Sequence, residues 1–395
     1  MTTYKSSFIA FCGTRGVPAN YGGFETAVDE ISRRLAAKGN HCLIFCRLSS
    51  GYKPAEDKYG RKLIYIKGSR HRKLDTFISS MQTGWYLWKH RREFRFIFWF
   101  NNANFPGIVM TWLAALPMAV NTDGLEWRRK KWSWPFKFYY LASSFIICRL
   151  CKRLISDSLA IQDFYLEKFL KNTSYIPYGY PEPIPIDNDF KTTVLEKYGL
   201  KRGKYYLQIT RLEPDNIPLD IARNFVRAFI NKRGYKLVIV GYKEPTPYAL
   251  KLKSLHGQND ILVLDAVYDA AELAVLRSNC FCYVHGNSVG GTNPALLEAM
   301  AFCPRVMAID SEFSHEVLGD SGFYFRPDEM INAFQQSLLL FDRAKEMKVR
   351  LNEFYRWDKV AASYLNLAEK KSADYNVGKV SGSEEEESFE EAFLE

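Results

Sequence analysis

The chain has 395 residues, 47% of them hydrophobic and 15% aromatic, with a formal charge of +10. That length exceeds one ordinary core and predicts two domains of roughly 150–200 residues, for which apolar side chains are plentiful. No run reaches the roughly 20 uncharged apolar residues of a spanning helix, and eight scattered cysteines are too few for a disulfide framework.

In chain order, "MTTYKSSFIAFCGT" runs from a short apolar segment into a glycine loop, not into a cleavage site, so a cytosolic protein is expected. The strand-like run "SFIAFCG" precedes a helical pattern, "FETAVDEISRRLAAKG", and is followed by "HCLIFCR", "KLIYIK", "FRFIFWF", "PMAVNTDG" and "RLISDS" with helices between them. "SYIPYGYPEPIPIDNDF" has the composition of a linker. The alternation then restarts with "KYYLQITRL", "YKLVIVGY", "DILVLDAV", "CFCYVHG" and "RVMAID", and helices fit "IPLDIARNFVRAFINKRG", "DAAELAVLRS" and "NPALLEAMAF". Near-continuous apolar strands separated by helices predict an α/β protein with parallel sheets covered on both faces. The expected organisation is two Rossmann-like domains facing a central cleft. Residues 1–178 and 179–342 form the domains, 343–371 a closing helix, and 372–395 an acidic disordered tail.

Residues 371–395 hold Asp374 and seven glutamates against two lysines, so the remaining body has 52 basic and 36 acidic residues, a charge of +16. Such a body seeks anionic partners. Two glycine-rich strand–helix junctions could receive one. The first is "GTRGVPANYGGFET", where Gly22 and Gly23 let the backbone come close and Arg15 can add charge. The second is "HGNSVGGTNPALLEAMAF", where Gly290, Gly291, Thr292 and Asn293 form the turn, Pro294 suits a first helical position, and Glu298 lies one turn in. His285 ends the preceding strand. The first junction lacks the G-x-G-x-x-G spacing of dinucleotide sites, which argues against a dehydrogenase.

The segment "NPALLEAMAFCPRVMAID" resembles the E-x₇-E region of GT-B glycosyltransferases, and "ITRLEPDN" resembles their strand-to-loop segment. "RWDKVAASYL" resembles their last helix. "GTRGVPANYGGFET" together with "NTDGLEWRRKKW" is similar to the bacterial subfamily of glycosyltransferase family four that contains rhamnosyltransferases of cell-surface polysaccharides. The resemblance covers about residues 7–370. It implies that Glu298 binds a nucleotide ribose and Arg211 a donor diphosphate. Gly290 stands where the broad family has its first glutamate, and Asn216 where it has a lysine, so the loop amides must carry more of the diphosphate.

The chemistry implied is transfer of a sugar, L-rhamnose from dTDP-rhamnose first, onto a lipid-linked saccharide, with retention at the anomeric carbon. The nucleotide sugar is a co-substrate, and neither cofactor nor metal is expected. Asp123 is the candidate for orienting or deprotonating the acceptor, with Glu126 the alternative, and Glu25 and Trp127 complete the acceptor side. The aromatic and basic segments "GWYLWKHRREFRFIFWF" and "WRRKKWSWPFKFYYLASSFIICRLCKR" suit an anionic membrane surface, placing the protein peripherally at the inner face of the cell membrane. Two other readings compete: a nucleotide-sugar epimerase of the same fold, and a non-enzymatic basic nucleic-acid-binding protein. No nucleic-acid-binding motif appears, so no nucleic-acid partner is expected.

Overall fold

A computed structural model describes residues 8–19, 22–50, 57–69, 71, 74–122 and 134–369. The first half runs β1 (Phe8–Cys12), α1 (Gly23–Ala37), β2 (His41–Arg47), β3 (Lys62–Ile66), α2 (Asp75–Lys89), β4 (Phe94–Phe100), α3 (Phe105–Leu113), β5 (Met118–Asn121), α4 (Trp134–Leu150), β6 (Arg153–Ser156), α5 (Leu159–Phe169) and β7 (Ser174–Tyr175). The second half runs α6 (Asn188–Lys197), β8 (Tyr205–Ile209), α7 (Pro218–Arg227), β9 (Lys236–Tyr242), α8 (Pro247–Lys253), β10 (Ile261–Asp265), α9 (Ala270–Ser278), β11 (Cys282–His285), α10 (Pro294–Phe302), β12 (Val306–Ile309), α11 (Glu312–Leu318) and β13 (Phe323–Phe325). Three helices follow: α12 (Met330–Ser337), α13 (Ala344–Phe354) and α14 (Trp357–Glu369).

The strands pair in parallel as two sheets, ordered β3-β2-β1-β4-β5-β6-β7 and β10-β9-β8-β11-β12-β13. Strand order reverses beside β1 in one sheet and beside β8 in the other, and ligands of open α/β sheets bind outside such reversal points. Side chains of the central strands alternate between two covered faces. Ile9, Phe11, Phe96 and Phe98 pack under α1 and α14, whereas Ala10, Cys12, Ile97 and Trp99 pack under α2, α3, α4 and α5. The first of these cores continues into the second sheet through Tyr205, Leu207 and Tyr283. All eight cysteines are buried thiols.

The expected linker is anchored. Tyr180 N donates to Tyr355 O at 2.8 Å, and a side chain at Gly179 would meet the Trp357 ring at 2.4 Å. The long last helix expected from the sequence is two helices, α13 and α14, with Tyr355 at the break. The second returns to the first domain, where Asn121 Nδ2 donates to Tyr364 OH at 2.7 Å and Arg34 Nε donates to Asp358 Oδ1 at 3.0 Å. The helix expected over 217–234 ends at Arg227, because Phe229 turns into the left-handed region at φ 58°.

Candidate functional site

The first glycine loop follows β1. Its glycines answer to different neighbours. At Gly13, φ is +93° and a Cβ would lie 2.4 Å from Phe100 O, so only glycine fits. At Gly16, φ is +125° and a Cβ would lie 2.7 Å from Cys46 Sγ. Half of the glycine density is therefore demanded by the chain itself. Gly23 differs, because its nearest neighbour is Pro294 of the second loop, 3.1 Å from an added Cβ. Gly22 meets only Glu25 Oε2, at 3.3 Å.

Glu25 sits buried in the first turn of α1 and accepts a hydrogen bond from Arg15 N at 2.9 Å. A carboxylate there already neutralises the positive end of α1, so an anion gains less from this helix than from one without an acid. Arg15 is half-buried, and its carbonyl accepts from Arg47 N at 2.8 Å. Arg47, the last residue of β2, braces the loop from beneath. Its Nη2 donates to Gly13 O at 2.9 Å and its Nη1 to Thr76 Oγ1 at 3.2 Å. Burial pulls its pKa down, with Asp75 and Glu25 opposing the effect.

The second glycine loop follows β11, and it touches the loop after β8 closely. A Cβ at Gly286 would stand 2.4 Å from Asn216 O. Arg211 lies exposed in that β8 loop, with Nη1 3.8 Å from Glu213 Oε1. Asn216 is buried and donates from Nδ2 to Arg211 O at 2.8 Å, so its amide holds the loop's own backbone. His285, Asn287, Val289, Gly290, Gly291 and Asn293 line a crevice closed by Leu296, Phe313 and Ser314. Burial drives the His285 pKa down to about 4, so its imidazole is neutral near pH 7. It can exchange hydrogen bonds with a ligand but brings no charge.

At the head of α10, Asn293 Oδ1 accepts from Ala295 N at 3.0 Å, Pro294 takes the first helical position, and no acid occupies the first turn. No carboxylate offsets the positive end of the α10 dipole as Glu25 does for α1, while the first-turn N–H groups are taken within the helix cap, Ala295 by Asn293 Oδ1 and Leu296 by Asn293 O. Glu298 is half-exposed and pairs with Nη2 of the buried Arg277. Gly290, at φ +135°, needs glycine for its backbone angle.

The two domains meet at these loops. Thr292 is buried and donates its hydroxyl to Asp157 O, just past β6. Gly291 packs on the same residue, and a Cβ there would lie 1.8 Å from Asp157 Oδ1. One residue on, Ser158 Oγ donates to Glu316 Oε2 at 2.8 Å, and Leu159 N to both Glu316 oxygens at 3.0–3.1 Å. A carboxylate of α11 therefore caps α5 across the domain boundary. Desolvation by burial raises its pKa.

The structure thus sets Gly23 of one domain against Pro294 at the head of α10 in the other. Arg15, Gly22 and Glu25 belong to the same first loop and helix turn as Gly23. Gly290, Gly291, Thr292 and Asn293 lead directly into Pro294, and His285, Arg211, Asn216 and Glu298 belong to the second domain around that loop. Asp123, Glu126 and Trp127 lie outside the described residues. Sequence reasoning missed Arg47, Asp157, Ser158, Arg277 and Glu316. Ser158 before a helical pattern was a readable cap signal, but nothing local points to a partner 158 residues away.

Two parallel Rossmann-like domains facing a cleft lined by their own switch-point loops are the GT-B architecture. A family model described as a domain of unknown function, DUF1972, matches residues 114–181. No curated protein matches the chain in sequence. Among solved structures, a glycosyltransferase from Rickettsia africae superposes with a TM-score of 0.69 at 15% identity, over 92% of this chain and 98% of that one. Sucrose-phosphate synthase from Thermosynechococcus elongatus gives 0.71 at 17%, over 91% and 98%. HepE of Anabaena in complex with UDP-glucose gives 0.69 at 12%, over 91% and 99%. At these identities the likeness establishes a shared fold over nearly the whole chain.

Proposed function

We propose that the protein is a glycosyltransferase that takes a sugar from a nucleotide-diphosphate donor in this cleft. The observation that carries the reading is the meeting of two switch-point loops, one per domain, at the acid-free N-terminus of α10. A diphosphate placed there meets the positive end of the α10 dipole and the backbone of the Gly290–Gly291 turn, with the Arg211 loop beside it and Glu298 one turn along for a ribose. That one of the structural neighbours, HepE, holds UDP-glucose supports a nucleotide sugar as the ligand class.

In this reading the bond between the anomeric carbon and the diphosphate oxygen breaks, and its electron pair stays on the diphosphate. The amides of Gly290 and Gly291 and the Arg211 guanidinium stabilise that charge without a metal. Losing one preorganised donor of this kind costs on the order of 3 kcal/mol. The acceptor oxygen bonds to the same carbon and gives its proton to a base, for which Asp123 is our assignment. Neutral His285 contacts the sugar. The donor we favour is dTDP-L-rhamnose, and the acceptor a lipid-linked saccharide at an anionic membrane surface, with retention at the anomeric carbon; the motif resemblance supports each of these.

The test is a panel of nucleotide sugars offered to the purified chain, read by thermal shift and by release of nucleoside diphosphate. dTDP-rhamnose should stabilise and turn over best, and Asp123→Asn should lower turnover while leaving the shift intact. A chain that neither binds nor cleaves any member sinks the proposal.

A further inference from the structure

Helices α2, α3 and α4 lie side by side over one face of the first sheet, and two of them are amphipathic in the inverted sense. A solvent-facing helix of a globular protein turns its apolar stripe to the core and its polar residues to water. Helix α2 instead buries Ser79, Ser80, Thr83 and Gly84 along with Leu87. Its exposed stripe, at spacings of three and four residues, is Leu74, Phe77, Met81, Trp85 and Trp88. Helix α4 buries Ser143 and Ser144 beside Tyr140 and Ile147, and exposes Trp134, Phe138, Leu141 and Phe145, again as one stripe. Between them α3, "FPGIVMTWL", carries no charged residue and exposes Trp112 and Leu113. Trp85 is 65% exposed and Trp134 76% exposed. Scattered exposed apolar residues are ordinary, whereas aligned stripes on adjacent helices mark an interaction face.

The charges select the partner. Within the three helices the cations are Lys89, Lys137 and Arg149, and Arg91, Arg92 and Lys152 stand exposed just past their ends. The one carboxylate, Asp75, is engaged by Ser49 Oγ and by Ser69 N at 2.7 and 2.8 Å. Arg149 lies over the Phe145 ring at 5.1 Å, a basic group set beside an apolar stripe. A second copy of the chain docking by two-fold symmetry would set these basic rims against each other. An anionic bilayer matches both parts: tryptophan and phenylalanine at the boundary, lysine and arginine at the headgroups. No described helix is long and apolar enough to cross a membrane.

We infer that the α2–α3–α4 face seats the protein on an anionic lipid bilayer by inserting its outward aromatic stripes. The partner is the one the transferase reading names, and in that sense the inference rests on it, but the face is assigned from the inverted side-chain pattern alone.

The experiment is co-sedimentation of the full chain with vesicles of phosphatidylcholine and phosphatidylglycerol in equal parts, beside phosphatidylcholine alone. Trp85→Ser combined with Trp134→Ser should lower partition onto the mixed vesicles about tenfold, equivalent to about 1.4 kcal/mol. Phe341→Ser, 84% exposed on the second domain, should leave it unchanged. Circular dichroism checks that both variants fold, with Phe138→Ser plus Phe145→Ser as the replacement pair. The inference is overturned if the wild type ignores anionic vesicles or if the double variant binds as well as the wild type. It is also overturned if light scattering finds a lipid-free dimer that the double variant dissolves, which gives the face to a second copy. Nucleotide-sugar cleavage in lipid-free buffer separates the two readings. Vesicle binding without cleavage of any donor sinks the transferase alone, and cleavage without vesicle binding sinks the membrane face alone.

Discussion

Gly291→Ala isolates the contact that joins the second glycine loop to the turn after β6 in the first domain. Gly291 lies outside the left-handed region, so alanine adds no backbone strain there, but its Cβ would stand 1.8, 2.4 and 2.6 Å from the three carboxyl-group atoms of Asp157. Asp157 is buried just past β6, so its side chain has little space to move into, and the backbone beneath it is held by the Thr292 hydrogen bonds to its carbonyl. Overpacking of this kind costs about 1–3 kcal/mol. The cost falls on the closed arrangement of the domains, so a ligand that needs both loops should lose affinity by about 5- to 150-fold. Titration calorimetry with dTDP and with UDP reads this directly. Asp157→Ala removes the obstacle, so the double variant Gly291→Ala/Asp157→Ala should recover most of the loss of the single one, a coupling on the scale of about 0.5–3 kcal/mol for touching residues. Equal losses from Gly291→Ala in both backgrounds would refute the idea that the domains are clasped at this point.

Two further outcomes follow from the site. His285 ordinarily titrates near 6.5 and is drawn down to about 4 by burial, so the unfolded chain binds the extra proton between those values; stability should therefore rise by about 3 kcal/mol from pH 4 to pH 6.5 and stay flat above, and His285→Gln, followed by urea denaturation across that range, should remove the slope. Glu298→Ala leaves the nearly buried Arg277 without its counter-ion and should cost about 3 kcal/mol of stability together with donor affinity, while Arg277→Met in the same background should restore stability but not affinity; a Glu298→Ala protein as stable as wild type would show that the pair is dispensable.

The alternation of apolar runs with helical patterns was enough to predict two parallel sheets covered on both faces, because a strand such as "FRFIFWF" has no polar side to give to water. Glycine loops at the strand ends were legible for the same local reason, since turns and close approaches leave their mark on residue type. β7 and β13, two and three residues long, escaped because so short a run carries no period. Which element each glycine accommodates was beyond reach of the sequence. Gly13 and Gly16 serve the backbone beneath them, Gly23 and Gly291 serve the opposite domain, and only the folded chain brings those neighbours close. Asn216 and Thr292, expected to face a donor, spend their polar atoms on loop and domain contacts formed by residues distant in sequence or turned inward by the chain's path. The period of α2 and α4 was likewise present in the sequence, but a stripe does not say which way it faces. Spacing along a helix is set by the backbone and is written in the chain, whereas inside and outside exist only once a sheet has formed beneath the helix.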